Sequence, residues 1–360
     1  MSRQFNSGVI SLSSQPFDRP LNVLRTAPPP KFNPRDPGRP NKYGQLEDFV
    51  TGPVNWSYVD PDDKTAMLKA LPGQDVLVGV TFTPDMTSSA DRLKMIVLAA
   101  AGYEKIVPSA VPYGCVVANA YEHEAPIAEW VMMAAEVLDH EVFKADQMLR
   151  QNDWGMWIYR RPPYRELFGR TMGVIGLGHI GRRVLRLARA YDMRLIAVTR
   201  TPPSEQEARD LGLAWVGDQS RLDDLMSEAD FIAVTTLQLP STEGLVGEHE
   251  ISLMKPDAYI INPARGPIID ETALYEALRD HRIGGAAIDV WWSYPSGPSD
   301  HTTRPSKYPF HELDNVLMTP HISGGTYGTA ERRSRVVAEN IDRFYRGEPL
   351  INVVPELSRN

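Results

Sequence analysis

Three short stretches of the sequence carry residues able to do chemistry. INPARG (261–266) sets Arg265 after a β-branched apolar run, GAAIDV (285–290) places Asp289 at the end of a second, and TPHISGG (319–325) places His321 after a third. A guanidinium fork can hold a carboxylate and polarise a neighbouring carbonyl. An imidazole exchanges its proton near neutral pH. All three stand at strand ends, within plausible reach of one crevice. Taken singly, each residue also has a structural reading: a solvated arginine, a capping aspartate, a satisfied core histidine.

A fourth stretch supplies a place for a cofactor. GLGHIG (176–181) follows the apolar run TMGVI and precedes the helical pattern RRVLRLARAY. In such a strand–turn–helix setting Gly176 permits the turn, Gly178 lets a pyrophosphate approach the backbone, and Gly181 lets helix and strand pack closely. The first helical residues, His179 and Ile180, bring free N–H groups and the positive end of the helix dipole. A ribose 2′-hydroxyl calls for an acid at the end of the next strand, about twenty residues on. That strand ends on Val198, Thr199, Arg200 and Thr201, with no acid among them. Arg200 with its two hydroxyl neighbours suits a 2′-phosphate, which favours NADP(H) and leaves NAD(H) as the alternative.

These residues need elements to position them. LNVLRTA (21–27), DVLVGVTF (75–82), KMIVLAAA (94–101) and CVVANA (115–120) read as strands of a first parallel sheet covered on both faces. Apolar residues then recur at three- and four-residue spacing from Ile127 to Leu149, which predicts one long amphipathic helix from about Glu124 to Gln151. A second alternation of strands and helices follows: TMGVIGLG, RLIAVTR, FIAVTTL, AYIINPARG, GAAIDVWW and NVLMTPH. After a helix over residues 329–346, LINVVP returns to the first domain. The expected fold class is α/β, with two Rossmann-like or flavodoxin-like domains, doubly wound parallel sheets and the active site in the cleft between them. The expected division is residues 1–135 with 322–360 as the substrate domain and residues 136–321 as the dinucleotide domain.

Composition narrows the classes. The 360 residues are 42% hydrophobic and 23% charged, as in a soluble globular protein, and two domains suit the length. The formal net charge of −8, without a long basic block, argues against nucleic acid or an anionic membrane as partner. No apolar run is long enough to span a bilayer. Cys115 is the only cysteine, so no intrachain disulfide can form, and a reducing, cytoplasmic setting is expected. The Ser-rich start is not expected to be a transit peptide, and the proline-rich stretch over residues 16–40 reads as an extended arm.

VIGLGHIG, MKPDAYIINPARGPIID, GAAIDVW and VLMTPHISGG, in this order and spacing, resemble the D-isomer-specific 2-hydroxyacid dehydrogenases, over roughly residues 71–350. The family includes glyoxylate/hydroxypyruvate reductases, phosphoglycerate dehydrogenase and formate dehydrogenase. The resemblance implies that Arg265 binds the substrate carboxylate and carbonyl, that His321 exchanges the proton, and that Asp289 holds the nicotinamide carboxamide. It further implies that Ala101 and Gly102 meet the carboxylate through backbone N–H groups and that His123 is a polar substrate contact. Leu237, Pro240, Ala264 and Gly324 complete the implied cofactor surface. No metal is expected. A homodimer is expected, with Trp154 or Trp157 reaching a neighbouring active site or packing in a core.

One departure from the family pattern stands out. Five residues after the aspartate, where relatives carry a glutamate that supports the histidine, this chain has Tyr294. Formate dehydrogenases likewise have a neutral amide there, in a local sequence similar to DVWWSYPSGPSDH. Asp300, Glu312 and Asp314, in the loop that follows, are alternative partners for His321. The expected function is NADP(H)-preferring hydride transfer on a small 2-hydroxy or 2-oxo acid. The alternatives are a formate- or phosphite-type dehydrogenase and a non-catalytic dinucleotide-sensing protein.

Overall fold

The apolar runs become two parallel sheets in the computed structural model, which describes residues 17–26, 45–297 and 300–359. The Ser-rich start and most of the proline-rich stretch lie outside the described residues. The chain divides into two compact units, one ending at Glu122 and resuming at Thr326, the other spanning His123–Gly325.

In the first unit β1 (Leu21–Thr26), β2 (Val54–Val59), β3 (Val76–Val78), β4 (Met95–Val97) and β5 (Val116–Ala118) lie in the order β2-β1-β3-β4-β5. Every pairing is parallel. Side chains alternate between two apolar layers, as a doubly covered sheet requires. Val23, Val76 and Met95 pack with Val337, Ile341 and Phe344 of the helix Tyr327–Arg346, while Leu24, Leu77 and Ile96 face the other layer. The carboxyl-terminal segment returns here: the Val354 amide donates to the Val117 carbonyl at 2.8 Å, and the Asn119 amide to the Asn352 carbonyl at 3.1 Å.

In the second unit β6 (Thr171–Ile175), β7 (Arg194–Val198), β8 (Leu213–Gly217), β9 (Phe231–Val234), β10 (Tyr259–Asn262), β11 (Gly285–Ile288) and β12 (Val316–Met318) lie in the order β12-β11-β10-β9-β6-β7-β8, again parallel throughout. The chain runs outward from β6 to β8, then returns to the other side of β6 at β9. The strand order therefore reverses between β6 and β9, the position at which such sheets bind ligands. β2 and β8 are absent from the sequence reading. Both are edge strands with mostly part-exposed residues, so neither has the continuous apolar run of a buried strand.

The long helix is two helices, Glu124–Asp139 and Val142–Arg150, separated at Glu141, whose φ of 52° is left-handed. The apolar spacing runs through this break and concealed it. The division of the chain also differs from the expected cuts after residues 135 and 321. Helix Glu124–Asp139 buries Ala128, Val131 and Ala135 in one cluster with Val184, Leu185 and Ala188 of the second unit, so it belongs there as a whole. Its last residue, Asp139, forms a buried ion pair with Arg170 at the start of β6, and the Arg170 guanidinium lies 4.4 Å from the centre of the Phe231 ring.

Asp139→Ala would leave the buried Arg170 charge with only the more distant Asp230 carboxylate, 4.0 Å away. The expected loss is about 3 kcal/mol of unfolding free energy, read from denaturant melting. A loss below about 0.5 kcal/mol, the range of exposed pairs, would show that this ion pair does not hold the helix to the second unit.

Candidate active site

At the reversal point, β6 turns through Gly176 and Gly178 into the helix His179–Ala190. Gly176 has φ of +99°, and a Cβ there would lie 2.6 Å from the Thr236 nitrogen. A Cβ on Gly181 would lie 2.2 Å from the Gly176 carbonyl oxygen. Only hydrogen fits at both positions. The Thr235 hydroxyl donates to the Gly176 carbonyl at 2.6 Å and ties the turn to the end of β9. At Gly178, by contrast, a Cβ would meet nothing within 4 Å. This open space beside a helix amino terminus fits a dinucleotide pyrophosphate.

Beyond β7, Thr199 is part-exposed and Arg200 and Thr201 are exposed. The acids that follow, Glu205 and Glu207, pair with Arg209 and Arg182. The end of β7 thus offers a guanidinium and two hydroxyls, a set that fits a phosphate.

The ends of β10, β11 and β12 are bound together by the fully buried Asp289. Its carboxylate accepts from the Thr319 hydroxyl at 2.6 Å, the Ile322 amide at 2.8 Å and the Ser323 amide at 2.9 Å. Its own amide donates to the Asn262 carbonyl at 3.1 Å. Between these anchors His321 adopts a left-handed φ of 58°. Asp289 therefore shapes the histidine loop, and three of its roughly four acceptor sites are occupied.

The Asn262 side chain holds the arginine turn, donating to the Arg265 carbonyl at 2.9 Å and accepting from the Ala264 amide at 3.0 Å. One Arg265 Nη donates to the Ala264 carbonyl at 2.8 Å. A Cβ on Gly266 would lie 2.5 Å from the Trp291 backbone, so the arginine turn rests directly on the strand-end that leads to Tyr294. Asn262, Trp291 and Thr319 were not singled out from the sequence. The signal for all three was their place inside INPARG, GAAIDVW and TPHISGG.

Tyr294 Oη lies 3.0 Å from His321 Nδ1 and accepts from the Trp291 amide at 3.1 Å. The Trp291 indole donates to the Thr319 carbonyl at 2.9 Å, which joins the two loops. Among the described residues no carboxylate forms an ion pair with His321. Asp300 instead accepts from Ser296, Thr302 and Thr303 in its own loop, and the Thr303 hydroxyl and loop amides hold its pKa well below the usual carboxylate range. Glu312 lies beside His311. His321 is solvent-accessible, yet enough protein surrounds the ring for burial to push its pKa below the ordinary histidine value. The Arg265 charge acts in the same direction and Asp289 opposes it. Burial likewise raises the Tyr294 phenol, so it stays protonated near neutral pH.

The remaining predicted residues are more scattered. His123 caps the helix at the start of the second unit, and its Cβ would be 3.6 Å from a Cβ on Gly324. Leu237 and Pro240 sit in an exposed turn after β9, stapled by the Thr242 hydroxyl. Ala101 and Gly102 belong to the first unit, on the loop after β4, where the Asn119 side chain donates to the Ala101 carbonyl at 2.8 Å.

Residues 131–323 match the family described as D-isomer specific 2-hydroxyacid dehydrogenase, NAD binding domain. Among relatives, the chain is 36% identical over 296 residues to D-3-phosphoglycerate dehydrogenase of Methanocaldococcus jannaschii, covering 81% of this chain. The chain spans only about half the length of that relative, 53%. It is 30% identical over 308 residues to glyoxylate reductase of Korarchaeum cryptofilum, covering 83% of this chain and 88% of that one. A solved 2-hydroxyacid dehydrogenase from Ketogulonicigenium vulgare Y25 is 25% identical with a TM-score of 0.73, covering 92% and 98% of the two chains.

Tyr294→Glu would set a carboxylate against Nδ1 and favour the charged ring. The expected result is a rise of the His321 pKa by about one unit in an NMR titration. An unchanged pKa would place the new carboxylate out of reach of the ring and count against the 3.0 Å contact.

Proposed function

Because the chain belongs to the D-isomer-specific 2-hydroxyacid dehydrogenase family, we propose that it is an NADP(H)-preferring oxidoreductase acting on a small 2-hydroxy or 2-oxo acid. The observation that carries this reading is the grouping of Arg265, Asp289, Tyr294 and His321 at the carboxyl ends of adjacent strands in the unit that holds the glycine turn. The nicotinamide, when bound, supplies or receives the hydride. His321 exchanges the proton with the substrate oxygen. Arg265 holds the substrate carboxylate and steadies the charge that develops on that oxygen. Ala101 and Gly102 offer backbone N–H groups to the carboxylate, and His123 a polar contact.

Gly176, Gly178, His179, Ile180 and Gly181 take the pyrophosphate, and Thr199, Arg200 and Thr201 take the 2′-phosphate. Leu237, Pro240, Ala264 and Gly324 flank the nicotinamide half, with Asp289 offering its remaining acceptor site. A homodimer is part of the same reading, supported by the exposure of Phe143, Trp154, Ile158, Tyr159 and Phe168 in one stretch of the second unit. So is a cytoplasmic setting, supported by the single cysteine, whose buried thiol is pushed up to about 12. Among the described residues no helix is long and apolar enough to cross a membrane. A formate- or phosphite-type oxidation is the second reading, favoured by the neutral partner of His321.

A substrate screen with NADPH, NADH and their oxidised forms tests the reading, with NADPH-dependent reduction of a 2-oxo acid expected. Turnover of formate or phosphite alone would select the second reading, and dinucleotide binding without any turnover would overturn both. Arg200→Asp should weaken NADP(H) by about 1 to 3 kcal/mol and move preference toward NAD(H). Equal efficiency with NADPH and NADH in the unmodified enzyme would remove the 2′-phosphate assignment. Arg265→Lys should recover only part of the activity lost in Arg265→Ala, since a point charge cannot reproduce the fork. A fully active lysine variant would rule out bidentate binding.

A further inference from the structure

We propose that Tyr294 is the proton source behind His321: as Nε2 gives its proton to the substrate oxygen, the Tyr294 phenol gives its own to Nδ1. This rests on the oxidoreductase reading above and adds to it the origin of the second proton and the starting tautomer of the ring.

The inventory of donors leads there. A backbone amide can only donate, so the Trp291 amide 3.1 Å from Tyr294 Oη occupies an acceptor site on that oxygen. The phenol has one hydrogen left to place. His321 Nδ1, 3.0 Å away, is the nitrogen acceptor beside it. A neutral imidazole that accepts at Nδ1 carries its hydrogen on Nε2. In the opposite arrangement Nδ1–H would point at Oη and the phenolic hydrogen would be left to water. A carboxylate in place of Tyr294 is an acceptor only, so it would hold Nδ1–H and leave the neutral ring with a lone pair on Nε2. Exchanging the acid for a phenol therefore changes which nitrogen of the neutral ring bears the proton.

The burial of the ring points the same way. It disfavours the imidazolium and outweighs the Asp289 carboxylate, which favours it, while the Arg265 charge adds to the effect of burial. Near neutral pH the ring is uncharged, and with its hydrogen on Nε2 it is still a proton donor. In reduction the nicotinamide, when bound, would supply the hydride to the carbonyl carbon, and the substrate oxygen then needs a proton. That oxygen forms O–H with the Nε2 proton, the Nε2–H bond breaks, Nδ1–H forms and the phenolic O–H breaks. The negative charge comes to rest on Tyr294 Oη, where burial and Asp289 disfavour it and the Trp291 amide and the Arg265 charge support it. An alkoxide is a stronger base than a phenolate, so the transfer runs downhill. Tyr294 is 47% exposed, which lets water restore its proton.

Two measurements test this. Imidazole nitrogen NMR of the cofactor-free protein at about pH 8, above the ordinary histidine pKa, should give His321 as the Nε2–H tautomer, and Tyr294→Glu should convert it to Nδ1–H. An Nδ1–H tautomer in the unmodified protein overturns the proposal, and this holds whether or not a substrate is turned over. Absence of turnover, by contrast, speaks against the oxidoreductase reading. In the pH profile of reductive kcat/KM, activity should persist above the His321 pKa found by NMR. Tyr294→Phe should lose about 100-fold on that plateau, while keeping activity at acid pH where the imidazolium supplies its own proton. A reductive profile that falls with the His321 pKa and is the same in Tyr294→Phe overturns the relay.

Discussion

A buried carboxylate with no exposed surface is the constraint on which the rest of the site depends. Stripping water from Asp289 is costly unless its oxygens find donors, and three donors from the loop after β12 provide them. Those donors flank His321 on both sides in sequence. The left-handed φ of that residue costs on the order of 1 kcal/mol in isolation and persists because the surrounding hydrogen bonds over-determine it. Loss of the charge at Asp289 would free the loop from this geometry, so the position of the imidazole is set one strand away from the imidazole itself.

The same strand-end controls the other groups. Parallel pairing brings Asn262, Ile288 and Met318 side by side at the ends of β10, β11 and β12. Side chains that follow these residues consequently emerge at the same edge of the sheet. Gly266 permits the arginine turn to lie against the Trp291 backbone, and the Trp291 indole bonds to Thr319. Arg265, Tyr294 and His321 thus rest on a shared backbone framework, where rigid neighbours hold each rotamer more firmly than exposed loops would.

Much of this was legible in the residues. Ten of the strands were marked by apolar runs, while β2 and β8, at the sheet edges, were not, because half-exposed strands mix polar and apolar residues. The break at Glu141 was hidden because Val142, Ala145 and Leu149 continue the spacing of the preceding helix. Counting five residues from Asp289 found the partner of His321, because the turn between them is short and bound at Trp291. The carboxylates of the following loop, which looked equally able to serve, are spent locally: Asp300 is enclosed by its own hydroxyls and amides. No pattern of residue types could have told that. The role of Asp289 was similarly half-visible, since its place at a strand end was evident but the donors it meets arrive from a loop thirty-odd residues later.

The exchange of an acid for a phenol also alters the charge that an anionic substrate would meet. Arg265 is positive, Asp289 negative, and Tyr294 and the neutral His321 contribute nothing, so the four side chains sum to about zero. With a glutamate at position 294 and a neutral ring, the sum would be negative, and a carboxylate would bind more weakly until the ring is protonated. With the phenol, Arg265 can pair with an incoming carboxylate whatever the state of His321. Binding of the anion then does not wait on protonation of the ring, although each favours the other. The carboxylate itself, once paired with Arg265, offsets the charge that disfavours the imidazolium, so anion binding moves the ring back toward its ordinary range.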